Sequence, residues 1–234
     1  MGSADQQPIV VIGGFLSYPS LYSEMARVLS ELSGQPVHVC KISFIDWLRA
    51  YSAKGWLRIL LKVKSTVDMV LETCGDQKIT LLGHSSGGVV GRLYLSPQAF
   101  LGHSFNGLKH VSHLITLGSP HYGSHPSPMR AYVQKVLPDA YFGEHVDYVS
   151  VTGTAVDLRV KSPPLTWLSH ICYRYLGGNG RTAGDGLVPV KCALLKDSTQ
   201  IVLEGVGHPF FFATNWYGRP ENVRRWWTRI FCQK

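Results

Sequence analysis

The segment ITLLGHSSGGVVGR (79–92) decides which class of fold the rest of the chain must build. An apolar run of strand length ends at Gly83, and a second apolar stretch with helical spacing starts at Ser86. Glycines occupy the positions two before and two after Ser85. Side chains at Gly83 and Gly87 would collide with the neighbouring strand and helix in a sharp turn. The segment therefore predicts a strand, a tight turn that carries a serine, and a helix.

Ser85 is the candidate nucleophile of this turn. G-x-S-x-G between a strand and a helix is the sequence of a nucleophile elbow, in which a strained backbone exposes the serine hydroxyl. Ser86 has His84 and Gly88 at the corresponding positions, so it does not fit the pattern. We expect Ser86 to contribute its backbone N–H at the start of the helix. The alternative is a plain strand-to-helix turn without chemistry.

Strand-length apolar runs alternate with longer helical stretches along the whole chain. The predicted strands lie at 8–14, 36–42, 78–84, 113–120, 147–154 and 199–205, and the predicted helices at 18–32, 52–73, 86–95 and 220–231. This alternation is typical of a parallel sheet with helices on both faces. No repeat or convincing linker interrupts it, so residues 1–234 are predicted to form one domain.

Composition narrows the class of protein. A hydrophobic content of 45% with only 16% charged residues indicates a globular chain rather than a disordered one. The net charge of +8 is compatible with a basic soluble surface, or with contact to anionic membranes or substrates. No nucleic-acid-binding motif accompanies the charge, so we expect no nucleic-acid partner. The five scattered cysteines indicate neither a zinc site nor a disulfide framework.

No apolar run reaches the length of a membrane span, and the polar first residues do not resemble a secretory signal. We therefore expect an intracellular protein, in the cytoplasm or a plastid, that is not secreted.

Five motifs together carry a resemblance to a known family. They are PIVVIGGF (8–15), GHSSGG (83–88), HLITLGSPHYGS (113–124), GDGLVPV (184–190) and VGH (206–208). On these motifs the chain resembles the α/β-hydrolases, more narrowly their lipase/esterase branch, and is similar to uncharacterised cyanobacterial and plant plastid hydrolases of this fold. The resemblance implies the α/β-hydrolase fold, a mostly parallel sheet with helices on both faces. The long insertions at about 121–146 and 155–183 would form a cap over the site.

The resemblance also implies an oxyanion hole. In such lipases the first strand ends in a His-Gly-Phe-like turn whose last residue donates a backbone N–H. Gly14 and Phe15 match this turn, whereas Gly13 stands where histidine is common. The implied donors are the backbone N–H groups of Phe15 and Ser86, aimed at one developing oxyanion.

The base and the acid should follow the serine in the order acid, then histidine. His208 comes directly after the last predicted strand, where this fold delivers its histidine. Asp185 lies in a segment similar to the one that carries the acid in many lipases, and Asp157 follows its strand more directly. We favour Asp185, because glycines on both sides free its backbone to turn the carboxylate toward the imidazole. We expect His84 to have a structural role.

Three further segments allow two interpretations each. The apolar stretch 163–178 would either contact an acyl or prenyl chain or form the core of the cap. The basic amphipathic stretch 44–64, with Trp47 and Trp56, would either lie on a membrane surface or cover the sheet. The same choice applies to RRWWTRIF (224–231), which would be the closing helix.

The sequence thus predicts a serine hydrolase of carboxylic esters, acting on a lipid or other hydrophobic ester through Ser85, His208 and Asp185. No metal or organic cofactor is expected. Two alternatives stay open, because a fold does not determine a function. An acyltransferase or thioesterase would use the same three residues, and so could a ligand-binding receptor on a hydrolase scaffold.

Overall fold

A computed structural model describes residues 7–75, 77–157, 166–177, 182–209 and 214–232 of the chain. The strands are β1 (Ile9–Ile12), β2 (Val37–Val39), β3 (Ile79–His84), β4 (Val111–Leu117), β5 (Asp147–Thr154), β6 (Val156–Asp157), β7 (Ala183–Gly184) and β8 (Thr199–Glu204). The helices are α1 (Ser23–Ser33), α2 (Phe44–Leu48), α3 (Ala53–Cys74), α4 (Ser86–Leu95), α5 (Pro128–Val136), α6 (Thr166–Gly177), α7 (Val190–Ala193) and α8 (Pro220–Phe231).

Six strands form one parallel sheet in the order β2-β1-β3-β4-β5-β8, and β6 and β7 form a small antiparallel pair. From β1 the chain first moves outward to β2 and then returns past β1 to β3. This reversal opens a crevice at the carboxyl ends of β1 and β3, the place where open α/β sheets bind ligands. The turn after β1 and the turn that carries Ser85 both lie there.

Both faces of the centre of the sheet are buried, which explains why β1 is wholly and β3 largely apolar. Val10 and Ile12 of β1 pack on one face with α3 and α4, whereas Ile9 and Val11 pack on the other with α1 and α8. In α8, Trp226 and Trp227 are buried on the sheet, as the closing-helix interpretation of 224–231 predicted.

The predicted arrangement of a mostly parallel sheet flanked by helices is confirmed. The strands predicted at 8–14 and 36–42 are longer than β1 and β2 by three and four residues, because local apolar patterning continues past the last ladder hydrogen bond. The strand predicted at 147–154 coincides with β5, those at 78–84 and 199–205 are one residue longer than β3 and β8, and the one at 113–120 starts and ends later than β4. The helix predicted at 18–32 is a short 3₁₀ turn over Pro19–Tyr22 followed by α1, which ends at Gly34 with φ 66°. Helices α5 and α6 lie inside the two predicted cap insertions, whose parts at 158–165 and 178–181 fall outside the described residues.

The stretch 44–64 is two helices rather than one. Ser43 and Asp46 form a capping box that starts α2, and Ser52 caps α3. The chain doubles back so tightly between them that a Cβ on Gly55 would lie 1.9 Å from the Arg49 carbonyl oxygen. Trp47 and Trp56 are consequently buried instead of forming an exposed amphipathic face. Among the described helices none combines the length and the apolar character needed to cross a bilayer.

Candidate active site

The turn at Ser85 has the strained geometry that its glycines predict. Ser85 adopts φ 52° and ψ −126°, a region that residues with a side chain rarely occupy. Its N–H donates to the Leu117 carbonyl at 2.8 Å, which ties the turn to β4. A Cβ on Gly83 would lie 2.4 Å from Gly88 Cα, and a Cβ on Gly87 would lie 2.3 Å from the Ile12 carbonyl oxygen. Glycine is therefore required at both positions for α4 to pack against β1 and β3.

The structure brings Asp185 and His208 together. His208 Nδ1 lies 2.7 Å from Asp185 Oδ2, and the His208 backbone N–H donates to the Asp185 carbonyl, also at 2.7 Å. Asp185 Oδ1 accepts the backbone N–H groups of Leu187 at 3.0 Å and Val188 at 2.7 Å. Both side chains are buried, with Asp185 fully enclosed. The carboxylate is thus held in one orientation toward the imidazole.

The alternative acid, Asp157, lies in the small antiparallel pair, opposite Ala183. The structure does not pair it with His208, whose Nδ1 faces Asp185.

Tyr217 completes the surroundings of the carboxylate and was not identified from the sequence. Its hydroxyl donates to Asp185 Oδ2 at 2.8 Å and accepts the Gly153 N–H at 2.9 Å. Burial, together with the neighbouring negative charge of Asp185, raises the pKa of Tyr217 well above its usual value of 10.0. Tyr217 therefore stays protonated and donates a hydrogen bond to the Asp185 carboxylate, which is buried away from water. No local motif marks it, because its partner is 32 residues away.

His84 lies against His208 and is neutral. The two ring centroids are 4.9 Å apart with the planes tilted by 33°. Burial and the nearby charge of His208 lower the pKa of His84 well below 6.5. His84 Nδ1 is 2.9 Å from the Tyr22 hydroxyl, which agrees with the structural role expected for it.

Tyr22 holds the turn after β1 through hydrogen bonds, a role that was not identified from the sequence. Its hydroxyl accepts the Gly14 N–H at 2.8 Å and lies 3.1 Å from Ser17 Oγ, which in turn donates to the Gly14 carbonyl at 2.7 Å. A Cβ on Gly14 would lie 2.8 Å from Ser85 Cβ, so only glycine allows the two turns to approach this closely. Tyr22 thus provides an anchor for a loop in which glycine, not histidine, occupies position 13.

Phe15 and Ser86 line the same cavity as Ser85. Within the described part of the chain, neither of their backbone N–H groups donates a hydrogen bond. Ser85 Oγ likewise makes no hydrogen bond to a described residue. Catalytic hydrogen bonds in empty sites often form only when substrate binds.

The cavity has a volume of about 390 Å³ and a mostly apolar wall. Several separate parts of the chain supply this wall besides the serine turn: Phe15; Trp47, Ala50, Tyr51 and Trp56; Pro120; Ser127, Pro128, Met129 and Arg130; Cys172, Tyr175 and Leu176; and Leu187 and Val188. Residues of both predicted cap insertions therefore contact the cavity. The pair of tryptophans and Tyr51 form a wall that was not predicted, because in the sequence they belong to an apparent surface stretch. Metal-binding groups of three or more His, Cys, Asp or Glu side chains are absent from the described residues.

Comparisons with known proteins identify the fold. No family model matches the sequence, and no curated protein matches it. Solved structures do. The product of a Listeria innocua gene superposes with a TM-score of 0.57 at 15% identity, over 98% of this chain and 94% of that one. A putative hydrolase of the alpha/beta superfamily from Xanthomonas campestris gives 0.53 at 14% identity, over 97% and 99%.

The 2-hydroxy-6-oxo-6-phenylhexa-2,4-dienoate hydrolase of a Rhodococcus strain gives a TM-score of 0.56 at 13% identity, over 99% of this chain and 92% of that one. The chain therefore has the α/β-hydrolase fold, as its motifs predicted. At these identities the likeness concerns the fold alone, and the similarity to cyanobacterial and plastid proteins stays a prediction.

Proposed function

We propose that this protein is a serine hydrolase of carboxylic esters with Ser85 as nucleophile, His208 as base and Asp185 as the residue that orients His208. The observations that carry the proposal are the buried Asp185–His208 pair, 2.7 Å apart, and the contact of the His208 ring with His84, the residue that precedes Ser85 in a strained turn lining an apolar cavity. Two proteins with the same fold are described as hydrolases, one of them putatively. The proposal rests on the site rather than on them.

The reaction would proceed through an acyl-enzyme. Ser85 Oγ attacks the ester carbonyl carbon while His208 Nε2 takes the hydroxyl proton, and the carbonyl oxygen becomes an oxyanion held by the N–H groups of Phe15 and Ser86. Collapse breaks the bond to the alcohol, which leaves with the proton from His208. Water then releases the acid by the same steps. Asp185 accepts the Nδ1 proton of His208 in a hydrogen bond and stabilises the imidazolium without taking its proton.

The cavity supports a hydrophobic ester or lipid as substrate. Its wall contains the rings of Phe15, Trp47 and Trp56, and its volume lies in the usual range of small-molecule sites, roughly 300–1,000 Å³. Burying an acyl chain against such a wall stabilises binding by about 25 cal/mol per Å² of apolar surface.

We further propose that the cavity mouth contacts a membrane surface. Exposed apolar side chains occur on α2, at Phe44, Ile45 and Leu48, and on α6, at Trp167, Ile171 and Tyr175. Tyr51 and Tyr175 both line the cavity and are exposed. Arg49, Lys54, Arg58 and Arg174 are exposed on the same elements or next to them, and would attract anionic lipids.

The decisive experiment compares wild type with Ser85→Ala. We expect wild type to hydrolyse short and long p-nitrophenyl esters and to be labelled by a fluorophosphonate. Ser85→Ala should lose the label and reduce kcat by about 10³-fold or more. The matched control is Ser86→Ala, which keeps the backbone N–H and should retain most of the activity. Full activity in Ser85→Ala would refute the proposal.

The same assay tests the acid. Asp185→Asn should lower kcat by about 10⁴-fold through loss of the correct imidazole tautomer, whereas Asp157→Asn should change it little. Equal small losses would exclude Asp185 as the orienting residue. Added alcohols and acyl-thioesters in the assay distinguish ester hydrolysis from acyl transfer and thioesterase activity. A lipid extract incubated with wild type and Ser85→Ala would show which esters disappear.

A further inference from the structure

Arg130 is the one charged residue among the described residues that line the apolar cavity. It belongs to the first turn of α5 and lines the same cavity as Ser85. Apart from the serines, the neighbours of Arg130 in this wall are mainly apolar and include Met129 and Leu176. A guanidinium in apolar surroundings needs a hydrogen-bond acceptor or an anion as its partner.

The guanidinium is poorly satisfied by the protein. Arg130 Nε is buried without a hydrogen-bond acceptor, and Nη2 reaches only the His125 carbonyl oxygen, at 3.3 Å. Within the described residues, Arg130 forms no ion pair with a carboxylate. A buried donor without an acceptor is rare in native proteins, because burial removes the water that would otherwise accept its hydrogen bond.

Two further features make the position of Arg130 unfavourable for a positive charge. The first turn of a helix carries a partial positive charge from its free N–H groups, and the first turn of α5 contains no acidic residue to offset it. Burial also lowers the pKa of Arg130 below its usual value. An anion in the cavity beside the guanidinium would offset both the repulsion from the helix and the desolvation.

Arg92 is a buried arginine with a structural role, and its hydrogen bonds can be compared with those of Arg130. It is more completely buried than Arg130 and has no carboxylate partner among the described residues either, but its guanidinium donates to the carbonyls of Leu137 and Asp139 and contacts His121 Nδ1 at 3.4 Å. Arg92 also does not line the cavity around Ser85. Arg130 differs in both respects.

We propose that Arg130 binds an anionic group of the substrate, a carboxylate or a phosphate, while the ester lies at Ser85. The substrate class is then an amphiphilic ester: an apolar chain with a scissile ester at one end and an anion at the other. A planar guanidinium suits both anions, because its donors match pairs of their oxygens. This inference rests on the proposed function for the ester, and on Arg130 alone for the anion.

Binding to Ser85→Ala protein tests the anion separately from catalysis. The probes are monomethyl suberate, its neutral counterpart dimethyl suberate, and the phosphate ester of methyl hydroxyoctanoate, followed by the fluorescence of Trp47 and Trp56 in the cavity wall. We expect one or both anionic probes to bind about tenfold or more tighter than dimethyl suberate. Their relative affinities show which anion the site prefers.

Variants assign the preference to Arg130. In the Ser85→Ala protein, the additional change Arg130→Gln should abolish the preference for the anionic probes. Arg130→Lys should retain part of this preference, since the charge remains without the paired donors. The matched control is Lys135→Gln, which removes an exposed positive charge from the last turn of the same helix and should change nothing. No preference in Ser85→Ala, or a full preference in the Arg130→Gln protein, would overturn the inference.

Kinetics with active protein separate the two proposals. The mono-p-nitrophenyl ester of suberic acid should have a kcat/KM about tenfold or more above that of its methyl-capped form, and Arg130→Gln should remove the difference by lowering kcat/KM of the free acid far more than that of the capped ester. If Arg130→Gln slowed both esters equally, Arg130 would be a structural support and the inference would fail, with the hydrolase standing. Anion-selective binding without any turnover would uphold Arg130 and refute the hydrolase.

Discussion

Two tyrosine hydroxyls hold the backbone and the carboxylate of the candidate site. Tyr22 accepts the N–H of Gly14 and so fixes the turn that presents the Phe15 N–H, and Tyr217 donates to Asp185. Ser85, His208 and Asp185 were chosen as candidates from glycine spacing, chain order and the resemblance of their motifs, all of which are read from short stretches of sequence. The tyrosines carry no such mark, because each meets its partner only through the folding of distant segments.

Replacing Tyr217 by phenylalanine tests this support. The change removes the donor to Asp185 Oδ2 and leaves the Gly153 N–H without its acceptor. Hydrogen bonds to charged groups contribute about 1.5–3 kcal/mol, so we expect the free energy of unfolding in urea to fall by about 2 kcal/mol. If Ser85 catalyses hydrolysis as proposed, kcat should fall about tenfold with little change in KM, because the imidazole is less firmly oriented.

Tyr141→Phe is the control for that experiment, since Tyr141 is exposed and lies in the loop before β5, whereas the Tyr217 hydroxyl is bonded to Gly153 near the end of that strand. Unchanged stability and kcat in Tyr217→Phe would show that its hydroxyl supports neither the fold nor the site.

Among the elements, α2 and α6 differ most from what local patterning indicates. In α6, Trp167, Ile171 and Tyr175 follow each other at intervals of four and are exposed, whereas Tyr173 and Leu176 are buried. In the described part of the apolar stretch 163–178, Tyr173 and Leu176 are thus buried as the cap-core interpretation predicts. Tyr175 and Leu176 also line the cavity, where contact with an acyl or prenyl chain stays a prediction. In α2 the exposed apolar residues are Phe44, Ile45 and Leu48, not the tryptophan nearby.

Membrane contact through these helices predicts a specific loss. Ile171→Asp places a charge in the exposed apolar stripe and should weaken sedimentation with vesicles of phosphatidylcholine and phosphatidylglycerol about tenfold or more. The control is Leu101→Asp, because Leu101 is 51% exposed against 54% for Ile171. Leu101 lies in the loop that leads into β4, whereas the serine turn follows the carboxyl end of β3. Equal binding of both variants and wild type would contradict the membrane proposal.

At the scale of the whole molecule, two buried histidines couple stability to pH. Burial lowers the pKa of His84 and of His121 well below 6.5, with the positive charge of His208 adding to the first and that of Arg92 to the second. Arg92 can only donate, so the contact at 3.4 Å makes His121 Nδ1 an acceptor, and Nε2 then donates to Thr116 Oγ1 at 3.1 Å. Both rings are therefore neutral when folded.

Stability should fall as the pH drops below about 6.5. In that range the unfolded chain binds protons on these histidines that the folded protein does not, so protonation favours unfolding. Each histidine contributes a slope of up to about 1.4 kcal/mol per pH unit, which persists down to its folded-state pKa. Urea unfolding between pH 7.5 and 5 measures the slope.

His121→Gln should reduce the slope of unfolding free energy against pH by the contribution of one histidine. This holds even if the substitution also changes the stability at every pH. Replacing exposed His125 in the same way should leave the slope unchanged. A slope in His121→Gln equal to that of wild type would show that His121 is not the group that titrates on unfolding.

The sequence by itself determined the parallel sheet, the strained serine turn and the order of the candidate residues. Apolar periodicity and glycine spacing act within a few residues, so they specify local conformation wherever the segment ends up. Only the tertiary structure decided that Asp185, not Asp157, faces His208, that 44–64 breaks into two helices, and that Arg130 joins the cavity wall. These outcomes depend on close approach of segments far apart in the chain, where packing and the satisfaction of buried polar groups outweigh local pattern.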